Sequence, residues 1–529
     1  MKAKERKAKR NQKIGSSASK KRPTISSAIP APEQMEIVNR HAGGIDCGAR
    51  EHYAAVPPDS VEQGQPFVRC FSAFTEGLDA LVEWLKVCGV TTVAMESTSV
   101  YWIALYQKLE AAGIEVFLVN ARHVHHVPGR KTDVKDCQWI QRLHSFGLLS
   151  ASFRPEDAIC RLRSLQRHRL NLVWTAGAEI QHMQKALQQM NLHLHHVVSD
   201  ITGVSGLRII EAILAGQRDA VQLAKLRDHR VYKSTLAQMQ AALVGDYRPE
   251  HLFVLGQSLQ AYRFYQARTQ ECDLEIERQL QQLAQRFESP SALGAELSQP
   301  EALDEADAPS QNPQPAKRKV KRKPQANEPK IDLADYLRRI CGVDLTQVIG
   351  LNVLSVLLIV SEIGVDMSKW RSAKAFSAWL GLCPRNKISG RKVLDTRTCK
   401  VISRVATTLR LAAQSVGRTD TALGIFYRRK KGHLGPAKAT TATARKLACL
   451  VYHLLKYKEQ YREPDPNTYQ LKVQKSILAK IQKQAATLGF KLYPPPSFPP
   501  NFPFSPSKFL RSGSPGSVTI SHEGVRNAG

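Results

Sequence analysis

Between residues 42 and 119 the apolar residues come in short runs of strand length, and the connections between the runs change character part-way. Ala42-Gly-Gly-Ile-Asp-Cys-Gly48, then His52-Tyr-Ala-Ala-Val56, reads as a strand, a turn and a second strand. Pro66-Phe-Val-Arg-Cys-Phe71 reads as a third. From there helices intervene. Leu78 to Val87 has helical spacing, Thr91-Thr-Val-Ala-Met95 is a short buried strand, Val100 to Ala112 is a helix closed by Gly113, and Ile114-Glu-Val-Phe-Leu-Val119 is a last strand. Three hairpin-like strands followed by βα units predict a layered α/β sheet of RNase H-like type over residues 40–150. A dinucleotide-binding domain would carry GxGxxG after its first strand, and the sequence has none there.

This arrangement gives four acids a common place. Asp46 falls at the end of strand one and Glu96 at the end of strand four. Asp133 and Asp136 stand three apart on the helix that follows, hence on one face. Taken singly they have ordinary readings: a turn residue, a helix cap, an acidic pair on a solvated face. Four convergent carboxylates, however, do not all stay ionised without cations. The expected occupants are two hard divalent ions with oxygen ligands, magnesium foremost. Such ions, roughly 3.5–4 Å apart, stabilise both attacking and leaving oxygens in phosphoryl transfer. Arg130, Lys131 and Lys135 flank the helical pair and suit a phosphate nearby. Asp46-Cys-Gly48 also resembles the phosphate turn of actin-like sugar kinases, but that fold needs a second Asp-x-Gly and the chain has no other. The segments His123-Val-His-His126 and His193-Leu-His-His196 lack the companions of a zinc site and read as polar surface.

Charge points the same way. The chain of 529 residues carries 76 Lys+Arg against 46 Asp+Glu, a formal net charge of +30. Nucleic acid is the usual partner of such an excess. An anionic membrane surface could produce the same bias, but no apolar run approaches the roughly 20 residues that span a bilayer, and the expected partners do not include a membrane. Ten scattered cysteines without a CxxC pair suit reduced thiols in a cytoplasm. Residues 1–39 read as a disordered basic arm, with ten Lys/Arg among the first 35. Residues 151–290 read as long polar helices with a narrow apolar seam, a coiled-coil-like arm that makes an oligomer (dimer or tetramer) or folds as an intramolecular hairpin. Residues 291–329 read as a flexible charged linker, with six basic residues in seven from Lys317 to Lys323.

A second, mainly α-helical unit is expected over 330–465, and a polar helix with a Pro/Ser/Gly-rich tail over 466–529. Val348-Ile-Gly-Leu-Asn352 before an apolar helix and Gly364 resembles a helix-hairpin-helix element. The loop Cys383 to Lys392 holds one hydroxyl, Ser389, beside Gly390 and among Arg385, Lys387, Arg391 and Lys392. A serine there either binds phosphate or attacks it, because cations lower the cost of its alkoxide.

Gly44-Ile-Asp46, Met95-Glu-Ser-Thr-Ser-Val-Tyr-Trp102, Val119-Asn-Ala-Arg-His123 and Pro128-Gly-Arg-Lys-Thr-Asp-Val-Lys-Asp136 resemble the DEDD transposases of the IS110 insertion-sequence family. So do Tyr247-Arg-Pro-Glu-His251, Trp379-Leu-Gly-Leu-Cys-Pro384, Ile388-Ser-Gly390 and Ala442-Thr-Ala-Arg-Lys446, in the family's order. The resemblance implies a RuvC-like N-terminal domain and a C-terminal transposase domain joined by the helical arm. It implies that Asp46, Glu96, Asp133 and Asp136 hold the divalent metal. It implies that Ser389 attacks a DNA phosphate to form a covalent 5′-phosphoserine link. Further implications are a site shared between subunits, an element-encoded guide RNA, and work on element ends and target DNA at the nucleoid of a bacterium or archaeon. The sequence departs from the family at Ser99 and Asn352, where the family commonly has Gly. The competing functional readings are a RuvC-like metal-dependent, structure-specific nuclease without a covalent intermediate, and a non-catalytic nucleic-acid scaffold.

Overall fold

The protein was analysed as a computed structural model, which describes residues 36–97, 99–120, 132–229, 234–288, 327–390, 392–399 and 401–490. The basic arm, nearly all of the charged linker, the proline-rich tail, His123 to His126, Arg130, Lys131 and Arg391 lie outside the described residues. The chain forms two compact units, residues 1–154 and 155–529.

The first unit is built on five strands: β1 (Ala42–Cys47), β2 (Glu51–Ala55), β3 (Val68–Ser72), β4 (Thr92–Glu96) and β5 (Glu115–Val119). Their spatial order is β3-β2-β1-β4-β5. β1–β2 and β2–β3 are antiparallel, whereas β1–β4 and β4–β5 are parallel. The tight turns expected early in the chain give the antiparallel half, and the helical crossovers give the parallel half.

Alternation along the strands assigns each face. Ile45, Cys47, Val93 and Met95 belong to the larger core, closed by α1 (Thr75–Val87) and α2 (Trp102–Ala111). Leu78, Leu81, Val82 and Leu85 of α1 recur at helical spacing and are buried there. Ala94 and Val119 face the other way and pack with Ile140 of α3 (Asp133–Ser145). Gly44, Asp46 and Glu96, two residues on from Ala42, Gly44 and Ala94 respectively, therefore belong to the α3 face.

The second unit is mostly helical. Two long helices, α4 (Asp157–Gln189) and α5 to α8, then α9 (Pro249–Glu288), make its first half, the short ones being Leu194–Val197, Val204–Leu214, Ala220–Lys225 and Leu236–Ala242. The apolar seams of α4 and α9 meet each other within the chain. Cys272 contacts the Leu165 carbonyl, the buried Arg169 pairs with Asp273, and Arg286 reaches Glu156, so the pair is antiparallel. This is the intramolecular hairpin. The seam anticipated for a partner chain is largely filled by the chain's own residues, and α5 to α8 share the same core.

Next come α10 (Leu333–Cys341) and α11 (Val353–Ile363), joined through a 3-10 turn at Leu345–Gln347. Asn352 is not left-handed, as a glycine substitute would be. It is the extended N-cap of α11, and its side chain accepts from the Ser355 amide at 2.8 Å. Gly350 carries the positive φ of 93° instead, wedged against Val416 and Ala412 of α13 (Arg404–Val416). The remaining elements are α12 (Ala373–Trp379), β6 (Lys387–Ser389), β7 (Lys392–Asp395), α14 (Ala422–Leu434), α15 (Pro436–Tyr457) and α16 (Pro466–Thr487). The segment read as a loop from Cys383 to Lys392 is thus mostly a hairpin. Among the described residues no helix is long and apolar enough to cross a membrane.

Candidate active site

Helix α3 lies across β1 at one glycine. A Cβ on Gly44 would sit 2.2 Å from the Gln141 amide nitrogen and 2.5 Å from the Cys137 carbonyl. Only a residue with no side chain admits this approach. Gln141 Nε2 also donates to the Ala42 carbonyl (3.2 Å), and Ser145 O accepts from the amides of Val38 and Asn39. Moving toward the C-terminus of α3 therefore moves back along β1. The helix is antiparallel to the strand, and its N-terminus overlies the end that carries Asp46.

The distances match. Asp133 precedes Cys137 by four residues, about 6 Å along a helix. Asp46 follows Gly44 by two, about 6.6 Å along a strand. Accordingly, carboxylate oxygens of Asp46, Asp133 and Asp136 lie within 4.8 Å of one another. Thr132 caps α3 by accepting from the Lys135 amide (3.3 Å). The helix N-terminus carries partial positive charge, which favours acids in its first turn.

Glu96 is the fourth acid of the expected set. It is buried at the end of β4, one residue beyond the Ile45–Met95 pair, so Asp46 and Glu96 occupy neighbouring strand ends. It is not one of the three whose oxygens cluster. Its charge is still felt locally. Burial pushes the Cys47 thiol well above its usual range, and Asp46 and then Glu96 add to the effect. Cys137, on the buried face of α3, is pushed up to about 12, chiefly by burial, with Asp46 and Asp136 contributing. Both thiols stay protonated and act as packing.

One neighbour escaped the sequence reading. Tyr53 pairs directly with Asp46 across β1–β2, so the two side chains share a face. Its phenol is raised to about 12, first by its hydrogen bond with Cys70, then by the charges of Cys70, Glu51 and, more weakly, Asp133. It is a neutral hydroxyl at the edge of an acidic site. The signal lay in the antiparallel register, which a turn of unknown length conceals.

In the second unit, Ser389 ends β6 and is exposed. It pairs with Lys392, with Gly390 next in the turn at φ 54°. Positive φ suits a tight hairpin turn and explains the glycine. Arg385, Lys387 and Lys392 are exposed around the serine. Ile388, Val393 and Leu394 on the same hairpin are 63%, 53% and 64% exposed. An isolated two-stranded hairpin is marginally stable, and this one leaves three apolar side chains exposed. Lys135 of the first unit is exposed on α3.

Two family models match the chain. One, a transposase model named for the DEDD transposases of IS110, covers residues 43–192. It begins at β1 and takes in Asp46, Glu96, Asp133 and Asp136. The other, described as Transposase IS116/IS110/IS902 family, covers residues 344–428, with Ser389 inside it. The chain belongs to the IS110 family of transposases. No curated protein matches it. The transposase is accordingly an enzyme that cleaves and recombines DNA. The family's DEDD type goes with a divalent metal, and the three clustered aspartates supply hard oxygen donors for one.

Proposed function

We propose that the transposase cuts and rejoins DNA through Ser389, assisted by divalent metal, magnesium foremost, at Asp46, Glu96, Asp133 and Asp136. The observation that carries this is the clustering of three aspartate carboxylates within 4.8 Å at the end of β1. The strand order, with three antiparallel strands followed by two parallel ones, supports an RNase H-like (RuvC-like) identity for the first unit. The donor set fits the metal: all ligands are carboxylate oxygens, and a +30 chain has charge enough to hold DNA as well. When bound, the metal would offset charge developing on the phosphate under attack.

The chain's own residues do the rest. The Ser389 oxygen forms a bond to phosphorus at a DNA phosphodiester, and the bond from phosphorus to the 3′ oxygen breaks. The serine proton leaves, and the departing 3′ oxygen ends protonated. The strand's 5′ phosphate is then held as a serine ester, and attack by another 3′ hydroxyl restores the serine and joins DNA. Lys387, Lys392 and Arg385 beside Ser389, together with Arg391, would orient the phosphate and favour its dianionic transition state. Lys135, on the carboxylates' own helix, would do the same there, and Arg130 and Lys131 are proposed as further nucleic-acid contacts. The exposed apolar hairpin supports docking against another copy, so that carboxylates and serine come from different protomers of a dimer or tetramer. An element-encoded guide RNA would choose the DNA, with the protein at work in the cytoplasm of a bacterium or archaeon, at the nucleoid. The second unit's α10–α11 pair would act as the helix-hairpin-helix-like contact to DNA.

The test is strand joining on element-end and target DNA with the element's RNA, scored for product and for trapped protein–DNA adduct. Asp133→Asn and Ser389→Ala are each expected to abolish joining, and Ser389→Ala to abolish the adduct. A 1:1 mixture of Asp46→Ala and Ser389→Ala proteins should regain activity. Cleavage that persists in Ser389→Ala would leave a metal-dependent nuclease using water. Activity that persists in Asp46→Ala and Asp133→Ala would leave a scaffold.

A further inference from the structure

The second unit contains a cleft of about 1170 Å³ that the proposed chemistry does not use. Its walls are the start of α12, the segment after β7 at Thr396 to Thr398, the face of α14, and the first five turns of α15. Six cations line it: Lys374, Arg397, Lys430, Lys438, Arg445 and Lys446. No carboxylate does so among the described residues. Arg397 is paired with Asp395 outside the cleft (3.1 Å).

These are not simply a solvated basic face. Lys374, Arg397 and Lys438 are exposed at the rim, but Lys430, Arg445 and Lys446 are half-buried. Lys446 and Lys430 are held over the buried Phe426 ring, 4.8 and 5.7 Å from its centroid. The Arg445 Nε is buried and has no hydrogen-bond partner among the described residues. A buried donor without an acceptor is costly. An anion in the cleft would offset the mutual repulsion of the lysines. Helix α15 adds to this, because its first turn at Ala437 and Lys438 lines the cleft and Gly435 gives it no side-chain cap.

Size narrows the anion. The cleft exceeds the roughly 300–1,000 Å³ of ordinary small-molecule sites, so one phosphate or mononucleotide would leave most of it empty. Small side chains on the α15 wall (Ala437, Thr441, Ala442) leave room for a backbone to approach. Leu382 and Pro384 line the same cleft, and the chain runs on from them into β6 and Ser389. Like-signed charge between low-dielectric walls also concentrates a polyanion locally.

We propose that this cleft seats the sugar–phosphate backbone of a single nucleic-acid strand and guides it to the Ser389 hairpin. Lys430, Arg445 and Lys446 grip phosphates at the base, with Lys374 and Lys438 at the rim. This assigns a role to Ala442-Thr-Ala-Arg-Lys446, which the carboxylate and serine sites leave unexplained. The inference rests on the reading of the protein as a strand-joining enzyme.

The experiment uses the full chain carrying Ser389→Ala, so that binding is read without chemistry. A short fluorescent oligothymidylate, its RNA counterpart and a duplex of equal length are titrated over a range of potassium chloride. The double variant Lys438→Gln/Arg445→Gln is expected to bind the single strand at least tenfold more weakly at low salt. Its salt slope should be shallower by about 1.4, since each phosphate contact to a single strand contributes about 0.7. Cys449 also lines the cleft, whereas the exposed Cys70 lies in the first unit. Single strand should slow alkylation of Cys449, read by mass spectrometry, and leave Cys70 unchanged. A rim pair, Lys374→Gln/Lys438→Gln, carries the same expectation should substitution at Arg445 impair folding. An unchanged slope with unprotected Cys449 overturns the proposal, and so does tighter cleft-dependent binding of duplex than of either single strand. Preference for the DNA or the RNA strand identifies which one occupies the cleft. Strand joining that survives Ser389→Ala sinks the proposed chemistry without touching these binding results.

Discussion

Gly44→Ala isolates the contact that brings the acids together. The new methyl would meet backbone atoms of α3 at 2.2, 2.5 and 2.6 Å, where ordinary contact begins at 3.4 Å. Neither backbone can swing aside as a side chain does, so α3 must move off β1 by more than an ångström. The overpacking costs about 1–3 kcal/mol, and the Gln141 bond to the Ala42 carbonyl at 3.2 Å is strained as well. The larger effect falls on chemistry, because Asp133 and Asp136 ride on α3 while Asp46 stays on β1. A displacement of about 1 Å in a positioned group costs on the order of 10²-fold in rate. The adjacent Gly43→Ala is the control. Its Cβ would meet side-chain carbons of Val93 and Val90 at 3.1 and 3.3 Å, on the other face of the sheet, and its nearest backbone neighbour, the Ala55 carbonyl, lies at an ordinary 3.7 Å. Gly44→Ala should weaken manganese or magnesium binding and strand joining about a hundredfold, and speed amide exchange in α3. Gly43→Ala should do little of either. Equal metal affinity and equal α3 protection in the two variants would refute the argument that Gly44 sets the carboxylate geometry.

Ser99 has φ 51°, in the left-handed region. Left-handed geometry costs a non-glycine residue about 1–2 kcal/mol, against the greater unfolded-state freedom of glycine, about 0.4–1 kcal/mol. Ser99→Gly should therefore raise stability by up to about 1 kcal/mol in denaturant unfolding, and a loss would contradict the strain. His144 is buried against Thr92 Oγ1 (2.9 Å), and burial lowers its imidazole to about 4. The folded state refuses a proton that the unfolded state takes below about 6.5. Stability of the first unit is therefore full above pH 6.5 and lost as pH falls toward 4, by about 3 kcal/mol. A His144→Gln protein whose pH profile keeps that slope would show that another group is responsible. Arg169, bonded to Asp273 and to the Asn327 carbonyl (2.6 Å), is almost wholly buried between α4 and α9. Arg169→Ala strands a buried carboxylate and should cost about 3–5 kcal/mol, with Asp273→Leu added to Arg169→Met recovering most of it. A single-variant loss under about 1 kcal/mol in the same unfolding assay would show the pair is solvated.

What the sequence reveals and conceals follows from the range of each interaction. Strands β1 to β5 and helices α1 and α2 were legible to within a few residues, because each buries a face whose period is printed in consecutive side chains. The hairpin at Ser389 was not. Ile388, Val393 and Leu394 alternate correctly, but they are exposed, and a basic segment with a glycine reads equally well as a loop. Helix α14 is hard to read for a related reason: Arg428-Arg429-Lys430-Lys431 masks the buried Ala422, Leu423 and Phe426. Among the acids, Asp133 and Asp136 were legible as a pair from local spacing alone. Their meeting with Asp46 depends on α3 running antiparallel to β1, and that direction has no local signature. It is fixed by Gly44, whose part in the sequence pattern is only to be small. The same logic applies in the second unit. Lys374, Lys430, Lys438 and Arg445 come from three helices and share no sequence period, yet tertiary packing sets them around one cleft. A basic residue in a +30 chain looks like solubilising charge until the fold takes its counter-ions away.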